Sequence, residues 1–392
     1  MLQPNMSKLR IGMWGTTAFR PSHVWDLLKY LLGEGDDVSH ENSEIFQITG
    51  LWLEQRREKD ICPDVSLWTG KHHFPLVNTK AEALVDANGD YVDVVWLVPE
   101  HGKYPVHLNQ PLYPIRPWLD ALFEFVRATG WKPRLLVIDK NVFITMRDYF
   151  RLAHELRELE IPCVGGSILP WHEQSQALPT GPDTEVQDVV VLGPPWIGNM
   201  GVHGAATYVS CMAGCRNGGQ IPMRIEHLEG TGQVQQALRE GRLSKDCLDA
   251  VCATLTGDSW DELVERNAGN FYENRDTVEG VVYEFDGWTA GHVTAGNVPP
   301  QWGVGMRVNG EMHSACCTFH LDHFGVMCRD IADMAESGSV PDWAQLLTFW
   351  PSALTVWAVA SSSLGRPVPT HDLGIPLAHA NPRPPRALPP AS

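Results

Sequence analysis

The chain reads as an α/β protein of two domains, a doubly wound nucleotide-binding sheet followed by an α+β domain, and three observations lead there. At 392 residues it exceeds what one hydrophobic core ordinarily holds. Its first part alternates continuous apolar runs with helix-periodic segments, the pattern of a parallel sheet covered on both faces. From residue 167 onward, strand-like runs follow one another with few helices between, which predicts a mostly antiparallel sheet. The boundaries are 8–166 for the first domain, 167–376 for the second, and 377–392 for a proline-rich tail expected to be disordered.

Each element follows from its local pattern. LRIGMWG is a buried strand, and HVWDLLKYLL carries apolar residues at helical spacing. The acidic stretch GEGDDVSHENSE reads as a surface loop, leading to a second strand, IFQITGLWLE, which ends in an acid. DYVDVVWLVP is a strand, PWLDALFEFVRATG a helix, PRLLVID a strand, MRDYFRLAHELREL a helix and IPCVGGSI the last strand of the domain. In the second domain VQDVVVLG, IPMRIEHLEG, VEGVVYEFDG and GVGMRVNGEMHSACCTF are strands, with helices at TGQVQQALREG and LDAVCATL. Two helical segments close it, HFGVMCRDIADMAESG and LLTFWPSALTVWAVASSSLG.

Composition excludes several classes of function. A net charge of −17 with no basic stripe repels nucleic acid and anionic membrane surfaces. Charged residues at 20% and apolar residues at 43% are an ordinary globular mix, with no apolar run long enough to span a bilayer. The first residues, MLQPNMSKLR, lack the apolar core of a secretory signal, so the expected location is the cytoplasm. Nine cysteines without regular pairing read as reduced thiols. Cys211 and Cys215 near His203 match no common zinc spacing, so no metal is expected.

Four stations in the first domain suit a dinucleotide. The first is the turn Gly15, Thr16, Thr17, Ala18, whose backbone N–H groups can face a pyrophosphate at a helix N-terminus. Against the G-x-G-x-x-G fingerprint, Thr17 and Arg20 stand where the second and third glycines belong. Thr17 adds a Cβ where the phosphate approaches and a hydroxyl that can donate to it. The second station is Glu54, whose carboxylate can accept from ribose hydroxyls; Arg56 and Arg57 follow and can instead meet a 2′-phosphate. The carboxylate argues for NAD and the arginines for NADP, with the lean to NAD because Glu54 is nearer the strand end. The acidic stretch accounts for a spacing longer than the usual 20 or so residues. The third station is Pro99, Glu100 and His101 after a buried strand, and the fourth is Asp139 and Lys140 ending another. A lysine at that mouth, beside a charged nicotinamide, can exchange a proton with a substrate oxygen near neutral pH. In the second domain, Asn199 and His203 fall on one face of a predicted helix.

Together these segments resemble the glucose-fructose oxidoreductase and inositol dehydrogenase (Gfo/Idh/MocA) family, over about residues 8–376. The family's T-P-N-H segment is similar to Val98–His101, its E-K-P motif to Asp139, Lys140 and Asn141, and its D-x-x-x-H helix start to Asn199–His203. The resemblance implies a Rossmann domain, an open-faced, mostly antiparallel C-terminal sheet that packs against another subunit, and NAD or NADP as cofactor. It further implies hydride transfer at a carbinol carbon of a sugar-like or cyclitol small molecule. Lys140 and His203 would then serve as acid and base, with Asn199 orienting substrate. Asn141 replaces a proline, Asn199 an acid, and GSILPWHE lacks the arginines many members carry there, which assigns substrate contacts to Trp171 and His172. The fifteen tryptophans permit an aromatic-walled pocket. Two alternatives stay open: an NAD-dependent lyase or glycosidase with transient oxidation, and a catalytically silent nucleotide-binding protein.

Overall fold

The computed structural model describes residues 7–35, 39–57, 60–107, 110–195, 201–218, 220–265, 278–299, 301–318 and 323–370. The chain divides into two compact units, 1–173 with 319–340, and 174–318 with 341–392.

The first unit is the expected parallel sheet. Its elements are β1 (Leu9–Gly15), α1 (His23–Leu31), α2 (Ser39–Ile45), β2 (Phe46–Leu53), α3 (Pro63–His72), β3 (Leu76–Val77) and β4 (Val94–Val98). There follow the short pair β5 (Val106–His107) and β6 (Gln110–Pro111), then α4 (Ile115–Thr129), β7 (Leu135–Asp139), α5 (Met146–Leu159) and β8 (Cys163–Gly166). The sheet order is β3-β2-β1-β4-β7-β8, with every pairing parallel. The order reverses at β1, so the C-terminal ends of β1 and β4 flank the switch point where ligands of such sheets bind. Strands β4 and β7 are buried along their whole length, as continuous apolar runs between two helical layers require.

The acidic stretch departs from its sequence reading, because α2 forms within it. This helix packs on α1 and on a segment from far along the chain, a non-local contact that outweighs weak local propensity.

The second unit is built on one mixed sheet. It contains β9 (Glu173–Gln174), β10 (Val186–Gly193), α6 (Gly201–Met212), β11 (Arg224–Glu229), α7 (Gly230–Arg239), α8 (Lys245–Thr256) and α9 (Trp260–Glu265). Then come β12 (Glu279–Glu284), β13 (Thr289–Thr294), β14 (Gly303–Val308), β15 (Glu311–Thr318), α11 (Asp342–Leu364) and β16 (Val368–Pro369); α10 (His323–Ser337), between β15 and α11 in the chain, is not part of this unit. The strand order is β16-β11-β12-β13-β10-β14-β15-β9. Its recorded pairings are antiparallel except β10 with β13. The β14–β15 hairpin turns on Asn309 and Gly310, both at positive φ, the conformation an Asn-Gly turn supplies. Val190, Leu192, Val282 and Val293 form a core with Cys247, Leu248 and Val251 of α8, while α6 and α11 pack on one another, α6 also on β10 and β13 and α11 on β11.

Helix α10 groups with the first unit, where it packs on α1 and α2. The proline-rich tail lies outside the described residues. Among the described residues no helix is long and apolar enough to cross a membrane.

Close approach of β8 to β7 depends on Gly165, whose added Cβ would overlap the backbone carbonyl of Ile138. Gly165→Ala is expected to cost about 1–3 kcal/mol through forced backbone displacement, read as a lowered midpoint of thermal unfolding.

Candidate active site

The strand ends of the first unit gather four ionisable side chains. After β4 come buried Pro99 and Glu100, then His101; β7 ends at Asp139 and is followed by Lys140 and the buried Asn141. His101 and Lys140 both adopt left-handed backbone, φ 62° and 68°. Non-glycine residues hold that conformation only where the surroundings impose it, and such positions cluster at functional sites. Lys140 is fixed by its N–H, which donates to Gly166 O at 3.0 Å.

Glu100 is the hub. Its Oε1 lies 2.9 Å from Lys140 Nζ and 3.1 Å from His101 Nε2. Its Oε2 accepts from the backbone N–H of His23, the first residue of α1, at 3.2 Å and faces His23 Nδ1 at 3.2 Å. Nδ1 of His23 donates to Asp139 Oδ2 at 2.8 Å. A carboxylate at a helix N-terminus is favoured by the dipole and by the free N–H groups there.

The charges of this network decide its protonation. Burial pushes the Glu100 carboxyl up, but His23, Lys140 and His101 together hold it well below the usual carboxylate range. For His23, burial favours the neutral ring, yet the carboxylates of Asp139 and Glu100 outweigh burial and raise the imidazole above its ordinary value. Ligand-type atoms of His23, Glu100 and Asp139 lie within 4.8 Å of one another, a spacing compatible with a metal ion. Two cations already balance two carboxylates there, so an added divalent ion would have to displace a proton or an ammonium.

The glycine turn is built differently from the fingerprint. Pro21 and the N-cap Ser22, whose side chain accepts from Trp25 N, start α1 at His23, beyond Arg20. Gly15, Thr16, Thr17 and Ala18 are all buried. Thr16 N donates to Val98 O at 3.1 Å and Ala18 N to Asp60 O at 2.8 Å, so two of the donors expected to face a phosphate are engaged. Thr17 Oγ1, by contrast, is buried and has no hydrogen-bond partner among the described residues.

Glu54 follows β2 and is exposed. The hydroxyl of Tyr104 donates to its Oε2 and lies 2.9 Å from Thr16 Oγ1, while Trp118 Nε1 donates to Oε1 at 3.4 Å. Beside them, Trp14, Trp52 and Trp118 surround the Lys80 ammonium at 5.8, 4.8 and 5.7 Å from their ring centres. Burial lowers the Lys80 pKa, with Glu54 opposing. Arg56 is held by Leu53 O and Asn78, and the backbone N–H of Arg57 donates to Asp60.

The remaining expected residues are distributed as follows. Asn199 lies outside the described residues. His203 is buried on α6, where its carbonyl accepts from Thr207 Oγ1 at 2.9 Å. Trp171 and His172 are buried in the first unit, and Trp171 Nε1 donates to Asp330 of α10 at 2.9 Å. All nine cysteines are free thiols, and burial pushes Cys211 up to about 12. Sequence reasoning missed His23 and Tyr104. For His23 a signal existed: a histidine opening a helix is disfavoured in its charged form unless an anion sits beside it.

A dinucleotide finds partial accommodation in the first unit. The unpartnered Thr17 hydroxyl, the exposed Glu54 carboxylate and the cluster at the strand ends suit its phosphate, ribose and nicotinamide. The engaged Thr16 and Ala18 N–H groups and the Tyr104 hydroxyl on Glu54 oppose it.

Fold and site together define a class, a two-unit α/β protein of the kind expected from the sequence; its structural neighbours are Gfo/Idh/MocA-type oxidoreductases. Among them is GenD2 from gentamicin A biosynthesis in complex with NAD, 14% identical with TM-score 0.56, covering 95% of this chain and 100% of its own. A myo-inositol dehydrogenase from Corynebacterium glutamicum is 9% identical with TM-score 0.53, covering 93% and 99%. A putative NADPH-dependent oxidoreductase from Desulfitobacterium hafniense is 12% identical with TM-score 0.53, covering 93% and 98%. At these identities the shared property is the fold. No protein-family model matches the chain, and no curated protein matches it in sequence.

Two outcomes follow for the cluster. Glu100→Gln leaves Lys140 and His23 buried without their shared anion and is expected to destabilise by roughly 3–5 kcal/mol, measured as a large fall in the thermal midpoint. Folding raises the His23 pKa, so its stabilisation is complete below the ordinary value of 6.5 and is lost as pH rises through the folded value. Thermal midpoints measured upward from about pH 6 are expected to fall more steeply in the parent protein than in His23→Gln.

Proposed function

We propose that the chain is a nicotinamide-dependent oxidoreductase acting at a carbinol or carbonyl carbon of a sugar-like, cyclitol or related small molecule. The observation that carries this reading is the buried network of Lys140, Glu100, His23 and Asp139 at the C-terminal ends of parallel strands. Neighbours of the same fold that are named for NAD or NADPH support it.

In this reading Thr17 and Glu54 hold the phosphate and ribose of the cofactor, with Thr16, Ala18, Pro99 and His101 lining the same edge. A bound nicotinamide supplies the hydride donor or acceptor. Lys140 Nζ exchanges the proton of the substrate oxygen, and Glu100 orients the ammonium. Asp139 accepts from His23 Nδ1–H and, with Glu100, favours the protonated ring, so Nε2 carries a proton that the ring can give up. His203, buried on α6, is a further acid–base candidate that the family resemblance implies. Glu54 at the end of β2 favours NAD, since a 2′-phosphate would meet its negative charge.

A second reading, a catalytically silent nucleotide-binding protein, is favoured by one observation, the Tyr104 hydroxyl already seated on Glu54. Incubation with NAD and a panel of cyclitols and hexoses, followed as NADH formation, separates the two. Lys140→Ala is expected to lower turnover by roughly 10²–10⁴-fold while NADH still binds. A variant working at the parent rate would remove Lys140 from the chemistry, and a parent that binds NADH without turning over any of the panel would favour the silent reading.

A further inference from the structure

The segment after β4 folds back onto the groups that the cofactor reading assigns to ribose and phosphate. Tyr104 bonds through its hydroxyl to both Glu54 and Thr16. In that position the phenol offers Glu54 what a ribose hydroxyl would offer, an O–H donor to the carboxylate. Lys103 N donates to Gln55 Oε1 at 3.2 Å, continuing the attachment along the residues after β2. Gly102 is seated so closely that a Cβ would overlap the Tyr104 ring and the methyl of Thr16. Tyr113 braces Tyr104 edge to face at 5.8 Å between ring centres. On its other side the segment meets water, for Lys103 and Pro105 are exposed.

We propose that Gly102–Tyr104 form an internal strap that occupies the ribose and phosphate end of the dinucleotide site and must lift before the cofactor binds. The inference rests on the cofactor reading and adds to it a closed state made by the chain itself. The strap explains why Thr16 is fully buried at a turn that a bound dinucleotide would need to reach.

Two substitutions weaken the closed state by different means. Tyr104→Phe keeps the ring and deletes the hydrogen bonds to Glu54 and Thr16. Gly102→Ala leaves every bonding group in place and drives the strap off the turn by overlap. The measurement is titration of the full-length parent and both variants with NADH, and in parallel with NADPH, following energy transfer from tryptophan, with thermal melts confirming that each variant is folded. The expected result is that both variants bind about tenfold tighter than the parent, the scale set by losing one hydrogen bond to a charged group. Parent and variants binding with equal affinity, or the variants more weakly, would overturn the strap and leave the cofactor reading standing. If none of the three folded proteins bound either nucleotide, the cofactor reading would fall and the strap with it. Should Gly102→Ala fail to fold, Tyr104→Phe alone decides between these outcomes.

Discussion

The first unit is organised around one buried anion. The Glu100 carboxylate is out of water, and such a group persists only when other charges and donors replace its hydration. Here the replacements come from the neighbouring His101 and from two places far apart in sequence, Lys140 after β7 and both the backbone and side chain of His23 at the start of α1. Satisfying one carboxylate therefore ties the ends of two strands to the start of a helix. The left-handed backbone at His101 and Lys140 follows from the same demand, because each must turn sharply after its strand to reach the shared oxygen.

The position of α1 is the second determinant. In a glycine fingerprint the helix begins within the turn and presents its free N–H groups to a ligand. Pro21 and Ser22 delay that beginning to His23, and the intervening residues pair with the chain near Asp60 and Cys62 through Ala18. Both glycines missing from the fingerprint fall in this delayed stretch. Thr17 and Arg20 flank the bridge of Ala18 to Ile61 and the turn that leads into α1, so the erosion of the motif and the displacement of the helix are one structural fact.

Much of this was legible in the sequence, and the part that was not has a common cause. Strands β1, β2, β4, β7 and β8 are apolar runs whose burial is written in local composition, which placed Glu100, His101, Asp139 and Lys140 at strand ends. The role of His23 was hidden because its partners lie 77 and 116 residues away, and no window of local pattern spans such distances. The α2 helix escaped for the same reason, since the surface it packs on includes α10 from the other end of the chain. The strand β13 was passed over because TAGHVT offers few bulky apolar residues; its glycine and alanine suit close packing in the middle of the sheet. Tyr104 sits among glycine, lysine and proline, a composition that reads as a plain connecting segment.

If a dinucleotide's ribose binds at Glu54 as proposed, a phenol held there by its own chain is a competitor that never diffuses away. Tethered groups act at effective concentrations in the millimolar range when the connection is short, and Tyr104 is joined to β4 by only a few residues. Occupancy of such a site would depend on how far the free nucleotide exceeds that internal rival, with the residues empty at low nucleotide and filled at high. Changing the affinity of such a protein for its ligand would not require touching a single ligand contact, since altering the length or stiffness of the tether would suffice.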